Sequence, residues 1–237
     1  MNNQPFHFKQ FSVFHHNSTM KVGTDAILLG AWCDVENVER ILDVGTGSGV
    51  IALLLACRCN AEIDAIEKDD NSALEAGANF NISKYSNHLK IINSDFNDYA
   101  ILCDNKYDLI VSNPPFFNND LLPDRKSREI ARHTTDLTHY QLLLGVSNLL
   151  ADNGRFCVVL PSDQMEEFVK TGEKHNLFPV RKLIIHPKRE SEPNRINIEF
   201  GRNKLLDYPV EEIIIRKDNN EHTEEYRSKV SDYLIRI

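Results

Sequence analysis

The chain has 237 residues, 41% of them apolar and 26% charged, a globular balance that excludes collagenous, low-complexity and compositionally disordered classes. Its net charge of −8 argues against a nonspecific nucleic-acid coat protein, although a local basic surface can sit on an acidic body. No apolar run approaches the ~18 residues of a membrane span, and the first residues lack the basic start and apolar stretch of an export signal. The five cysteines (Cys33, Cys57, Cys59, Cys103, Cys157) are odd in number and irregularly spaced. They read as reduced thiols of a cytoplasmic protein, with no metal site and no membrane partner.

Along the chain, Lys21–Trp32 reads as a loop leading into an apolar helix, packed in front of the sheet that the later strands form. Ile41–Val44 is a short buried strand, running through a glycine loop into a helix with Ile51, Leu53, Leu54 and Leu55. Glu62–Glu67 is a second strand, followed by a helix over Asn71–Ser83; Leu89–Asn93 and Tyr107–Ser112 are the third and fourth strands. After a polar stretch over 118–137, Thr138 and Gln141 fit a capping box that opens a leucine-rich helix. Asn153-Gly154 signals a turn before a fifth strand, Arg155–Leu160, and a helix near 163–175 comes next. Val180–His186, Ile196–Phe200 and Val210–Arg216 are late strands, and Glu221–Ile235 is a closing helix. Strands alternating with helices predict an α/β fold: a doubly wound, mostly parallel, seven-stranded sheet covered on both faces. The late strands, joined without helices, are expected to run antiparallel. The whole of 1–237 is taken as one domain, with 1–38 capping a core over 39–237.

Asp43-Val44-Gly45-Thr46-Gly47-Ser48-Gly49 lies at the carboxyl end of the first strand, where open α/β sheets bind ligands. Without side chains, Gly45, Gly47 and Gly49 allow a ligand to lie against backbone. Glu67 ends the second strand at the place of a ribose-diol acceptor, and Asp95 follows the third strand within reach of an adenine edge. Three acidic groups with no basic neighbour suit a cationic, phosphate-free adenosine ligand, and S-adenosylmethionine has that character. Asn113-Pro114-Pro115-Phe116 follows the fourth strand, beside the first in the expected order. The exocyclic amine of a base is a poor nucleophile. An asparagine oxygen and a proline carbonyl can accept from it and stabilise the charge that develops on it. The two prolines stiffen the loop, and Phe116 offers a ring for an extruded base to stack on.

With these residues in view, the chain resembles the class I S-adenosylmethionine-dependent methyltransferases of the amino-methylating N-P-P-[YF] type, which have a Rossmann-like fold. Phe8–Phe11, Met20–Trp32, Ala131–His133 and Thr223–Tyr226 extend the resemblance to the bacterial tRNA1(Val) adenine-N6-methyltransferase family. The resemblance implies N6 methylation of the adenine 3′ of the anticodon in a valine tRNA. It further implies that Asn113, Pro114, Pro115 and Phe116 hold the base, and that Asp43, the three glycines, Glu67 and Asp95 hold the cofactor. Lys21, Thr24 and Asp25 would close over the site. Phe116 stands where the family has Tyr more often, and NPPF is also similar to ribosomal-RNA guanine-N2 methyltransferases. Protein-glutamine N-methylation is a further alternative, but the substrate-recruiting domain expected for it has no counterpart in the 38 residues before the core.

RNA contact is expected at two locally basic segments. Arg125, Lys126, Arg128 and Arg132 directly follow the NPPF loop, and Lys188 and Arg189 lie within 181–204. Such groups position phosphates without reading sequence. A monomer is the favoured state.

Overall fold

A computed structural model describes residues 4–115 and 137–236. Ten strands are assigned among them. Phe6–His7 (β1) and Ser12–Val13 (β2) form a small antiparallel hairpin. The others build one sheet: Arg40–Val44 (β3), Glu62–Glu67 (β4), Leu89–Asn93 (β5), Tyr107–Ser112 (β6), Leu150–Pro161 (β7), Phe178–Lys188 (β8), Arg195–Gly201 (β9) and Val210–Arg216 (β10). Their spatial order is β10-β8-β9-β7-β6-β3-β4-β5. The helices are Thr24–Trp32 (α1), Val50–Ala56 (α2), Asp70–Ile82 (α3), Phe96–Leu102 (α4), His139–Leu149 (α5), Met165–Glu173 (α6) and Glu224–Val230 (α7).

Two expectations about the sheet are corrected. It has eight strands, not seven, and β10 pairs with β8 in parallel, from Val210 beside Lys182 to Arg216 beside Lys188. Only β9 runs against its neighbours β7 and β8. The link from β9 to β10 stays at one end of the sheet and skips past β8, so β10 runs against β9 and therefore parallel to β8. Asn153-Gly154 falls inside β7: the pairing with β6 jumps from Tyr107–Leu150 to Leu109–Arg155, and the extra residues bulge out. The closing helix is also shorter than expected, spanning Glu224–Val230.

Period-two alternation gives the sheet two apolar faces. Ile41, Ile63, Leu109, Val111, Cys157 and Leu183 face a cluster with Leu28, Leu29 and Trp32 of α1, Leu54 of α2 and Phe80 of α3. Leu42, Val44, Ile110, Phe156, Val158 and Phe200 face Phe96 of α4, Leu142 and Val146 of α5, and Phe168 of α6. The α5 start carries the expected box: Gln141 N–H donates to Thr138 Oγ1 at 3.2 Å and Thr138 N–H donates to Gln141 Oε1 at 2.9 Å. No helix of the described residues is long and apolar enough to cross a membrane, and the five cysteines are unbridged.

The chain runs outward from β3 to β4 and β5, then returns to place β6 on the other side of β3. This reversal opens a crevice at the carboxyl ends of β3 and β6, which is where such sheets take ligands.

Candidate active site

A cavity of about 810 Å³ occupies that crevice. Its wall includes Gly45 and Gly47 after β3, Glu67 at the end of β4, Asp95 after β5, and Asn113, Pro114 and Pro115 after β6. Lys21 reaches it from the N-terminal side, together with Thr19 and Met20, which sequence reasoning did not single out. Phe116, Arg125, Lys126, Arg128 and Arg132 lie outside the described residues.

The glycine loop has a left-handed backbone that side-chain-bearing residues rarely adopt: φ is +56° at Gly47 and +85° at Gly49. The two glycines differ in surroundings. A Cβ on Gly49 would sit 2.5 Å from the Phe80 ring, so this glycine lets α2 and α3 approach. A Cβ on Gly47 would meet nothing within 4 Å, because its free face opens into the cavity.

Asp43 is fully buried behind the loop, away from the cavity wall. Its Oδ2 accepts from Thr46 Oγ1 at 2.6 Å and from Ala52 N–H at 3.2 Å, tying the loop to the first turn of α2. Burial pushes its carboxyl up to about 7 from the ordinary 3.8; the Thr46 and Ala52 bonds pull the other way, and the Glu67 charge adds to the rise. Its other oxygen, Oδ1, is buried with no hydrogen-bond partner among the described residues. Glu67 points back at the loop: Oε2 accepts from Gly47 N–H at 2.8 Å and Oε1 from Asp69 N–H at 2.9 Å. The carboxylate is therefore already oriented.

Asp95 caps α4, with Oδ1 accepting from Asn97 N–H at 2.8 Å. Its Oδ2 accepts from Lys68 Nζ at 2.7 Å, which corrects the expectation of an acidic set with no basic neighbour. Lys68 directly follows Glu67, and β4–β5 pairing brings the two strand ends together. Burial raises the Asp95 carboxyl, but Lys68 and Asn97 outweigh it and hold the group below its ordinary value.

Across the crevice, Ser112 Oγ donates to Val44 O at 2.9 Å, locking the end of β6 to the end of β3. Asn113 comes next. Its Oδ1 is buried and has no hydrogen-bond partner among the described residues. Pro114 is buried and Pro115 exposed. A buried amide oxygen without a donor costs about 1–3 kcal/mol, and a ligand N–H would recover it.

The structure separates Lys21 from Thr24 and Asp25. Lys21 lines the cavity, with Nζ donating to His15 O at 2.6 Å and His16 O at 3.1 Å. Thr24 opens α1, and Asp25 pairs with Arg195 of β9 at 2.9 Å; neither belongs to the cavity wall. Lys188 ends β8 and Arg189 follows it, exposed. Since β9 is antiparallel to both β7 and β8, and β7 is parallel to β6, this pair lies at the same sheet edge as Asn113. Among the described residues, no group of three His, Cys, Asp or Glu side chains is placed to hold a metal ion.

The methyltransferase small domain family model matches residues 8–171. A tRNA1(Val) (adenine(37)-N6)-methyltransferase of Bacteroides fragilis is 39% identical over 236 residues, covering 99% of both chains. One of the same name from Trichodesmium erythraeum is 39% identical over 241 residues, covering 100% of both. Among solved structures, a predicted O-methyltransferase from Agrobacterium tumefaciens superposes with a TM-score of 0.68 at 16% identity, covering 88% of this chain and 96% of its own; it shares the fold.

Proposed function

Because the chain belongs to the methyltransferase small domain family, and within it to the tRNA1(Val) (adenine(37)-N6)-methyltransferases, we propose that it methylates the N6 amine of adenine 37, 3′ of the anticodon, in a valine tRNA. The cofactor is S-adenosylmethionine, which when bound supplies an electrophilic methyl group. The residues present fit it. Gly47 leaves its face of the cavity open, Glu67 is held with both oxygens directed by backbone donors, and Asp95 stands beyond it. Gly45, Gly47, Glu67 and Asp95 would hold the adenosine portion, with Lys21 on the N-terminal wall. Asp43 and Gly49 act from behind, fixing the loop. Thr24 and Asp25 serve by anchoring α1 rather than by contact.

The observation that carries the reading is Asn113, a residue of the cavity wall whose buried Oδ1 has no hydrogen-bond partner among the described residues. The adenine amine has hydrogens to donate, and its lone pair is delocalised into the ring. Asn113 Oδ1 and the Pro114 carbonyl accept from that amine, orient it, and stabilise the positive charge that grows on nitrogen. The extruded base stacks on Phe116. Lys188 and Arg189, with the basic residues that follow Phe116, take the phosphates. The names of the relatives described above favour adenine N6 over the guanine-N2 and glutamine alternatives. A tRNA substrate supports action in the cytoplasm, and free thiols accord with that reading.

The test is transfer from labelled S-adenosylmethionine to unmodified tRNA, followed by nucleoside digestion and mass analysis. N6-methyladenosine in the valine fraction is expected, and it should vanish in Asn113→Ala. N2-methylguanosine instead would overturn the base assignment.

A further inference from the structure

Helix α3 buries a polar stripe beside the apolar one of Ala73, Ala76 and Phe80. It exposes Leu74 and Ile82, at 73% and 62%, and buries Ser72, Glu75 and Asn79, at 0%, 6% and 0%. Positions 72, 75 and 79 share one helical face. Burying polar groups is costly unless each is bonded, and here each is bonded to the same distant segment, residues 14–19. Ser72 Oγ accepts from Thr19 N–H at 3.2 Å. Glu75 Oε1 accepts from the backbone N–H of His16 at 2.7 Å and Asn17 at 3.0 Å, and Oε2 from Ser18 N–H at 2.8 Å and from the Ser18 hydroxyl. Asn79 Oδ1 accepts from Phe14 N–H at 2.9 Å. Its Nδ2 donates both to Phe14 O at 2.7 Å and to Ser48 O, in the glycine loop, at 2.8 Å.

One end of this segment is thus joined to the glycine loop through a single amide nitrogen. The other end continues into Thr19, Met20 and Lys21, which wall the cavity. Its backbone carbonyls at His15 and His16 also hold the Lys21 ammonium.

Resting on the cofactor reading under Proposed function, we propose that Ser72, Glu75 and Asn79 are positioning residues for S-adenosylmethionine. They set the N-terminal wall and the glycine loop at a fixed separation, so cofactor binding carries no ordering cost for that segment. None of the three is part of the cavity wall, so their effect is on cofactor affinity and not on the methyl-transfer step.

The experiment measures KM for S-adenosylmethionine and kcat with saturating tRNA, and calorimetric Kd for S-adenosylhomocysteine, in Asn79→Ala and Glu75→Gln. Each variant leaves backbone groups without their partner, so KM and Kd should both rise about tenfold, with kcat within about threefold of the parent. A folded variant with the parent's KM and Kd, or one that loses kcat at unchanged KM, overturns the proposal. Should either variant fail to melt cooperatively, Ser18→Ala removes only the hydroxyl bond to Glu75 and leaves α3 intact. A rise of about threefold in Kd is then expected, and no rise counts against the idea. The binding readout is independent of the RNA: a parent that binds S-adenosylhomocysteine but methylates no tRNA refutes the assigned substrate and leaves the positioning role measurable.

Discussion

On the β3–β4–β5 side of the cavity, each carboxylate already accepts through at least one oxygen, with only Asp43 Oδ1, behind the wall, lacking a partner among the described residues. Asp43 holds Thr46 and Ala52, Glu67 holds Gly47 and Asp69, and Asp95 holds Asn97 and Lys68. On the β6 side, Asn113 Oδ1 is buried with no donor among the described residues. The first side is arranged to keep its shape whether or not a ligand is there. On the proposed reading, the second keeps an acceptor in reserve for the amine that reacts. Recognition of the cofactor and of the base would then be separated by one strand junction, sealed by the bond from Ser112 to Val44 O.

The contrast can be broken from either side. The largest effect is expected at Asn113. Asn113→Ala should lower kcat about 10²–10³-fold, the range for removing one preorganised polar group at a reacting centre. Its Kd for S-adenosylhomocysteine should stay within about twofold of the parent, and comparable losses in both would refute the division of labour. Glu67→Ala is the mirror experiment. Loss of a charged acceptor of about 1.5–3 kcal/mol should weaken cofactor binding roughly tenfold to a hundredfold. At saturating cofactor, kcat should recover to near the parent's value. A third variant tests where the RNA lies: Lys188→Ala with Arg189→Ala should weaken tRNA binding at all sequences. The slope of log K against log salt should drop by about one per phosphate contact removed. An unchanged slope would place the backbone elsewhere.

The smallest effect concerns the first side's own stability. Asp43 titrates near 7 when folded and near its ordinary 3.8 when unfolded, so the folded state holds the extra proton between those values. Stability therefore falls as pH rises through that window and levels off above it. Asp43→Asn keeps an acceptor for Thr46 and Ala52 and removes the titration. Urea midpoints measured from about pH 4 to about pH 8 should decline in the parent and stay flatter in the variant. Parallel curves would sink the assignment.

The parallel part of the fold was legible because its signals are local. The strands Glu62–Glu67, Leu89–Asn93 and Tyr107–Ser112 have the expected bounds, and the Thr138–Gln141 capping box is present. Partner choice between strands was less so: β10 reads as a strand, but nothing in Val210–Arg216 says that it joins β8 in parallel. The hairpin of β1 and β2 has two residues on each side, too few for periodicity to register. In the site, the residues at strand ends could be found by counting from the glycine loop. Lys68 beside Asp95 could not, since their pairing depends on how two strand ends meet. Helix α3 was legible, but the burial of Ser72, Glu75 and Asn79 was not, since it depends on residues 14–19 lying across them.

That long-range clasp has a consequence for the order in which the molecule is made. Phe14 and Ser18 find their partners 65 and 57 positions further along. Asp25 waits for Arg195, 170 positions on, and the backbone of Lys9 is tied at 2.7 Å to that of Tyr233. Contacts so distant in sequence form late, because a long loop must close before they can stabilise anything. On the ribosome, residues 14–19 can meet α3 as soon as that helix has emerged, whereas Lys9 and Asp25 must wait for the far end of the chain. A chain stopped short can therefore have the glycine loop and the N-terminal cavity wall in place while the start of the chain and α1 still lack their last ties.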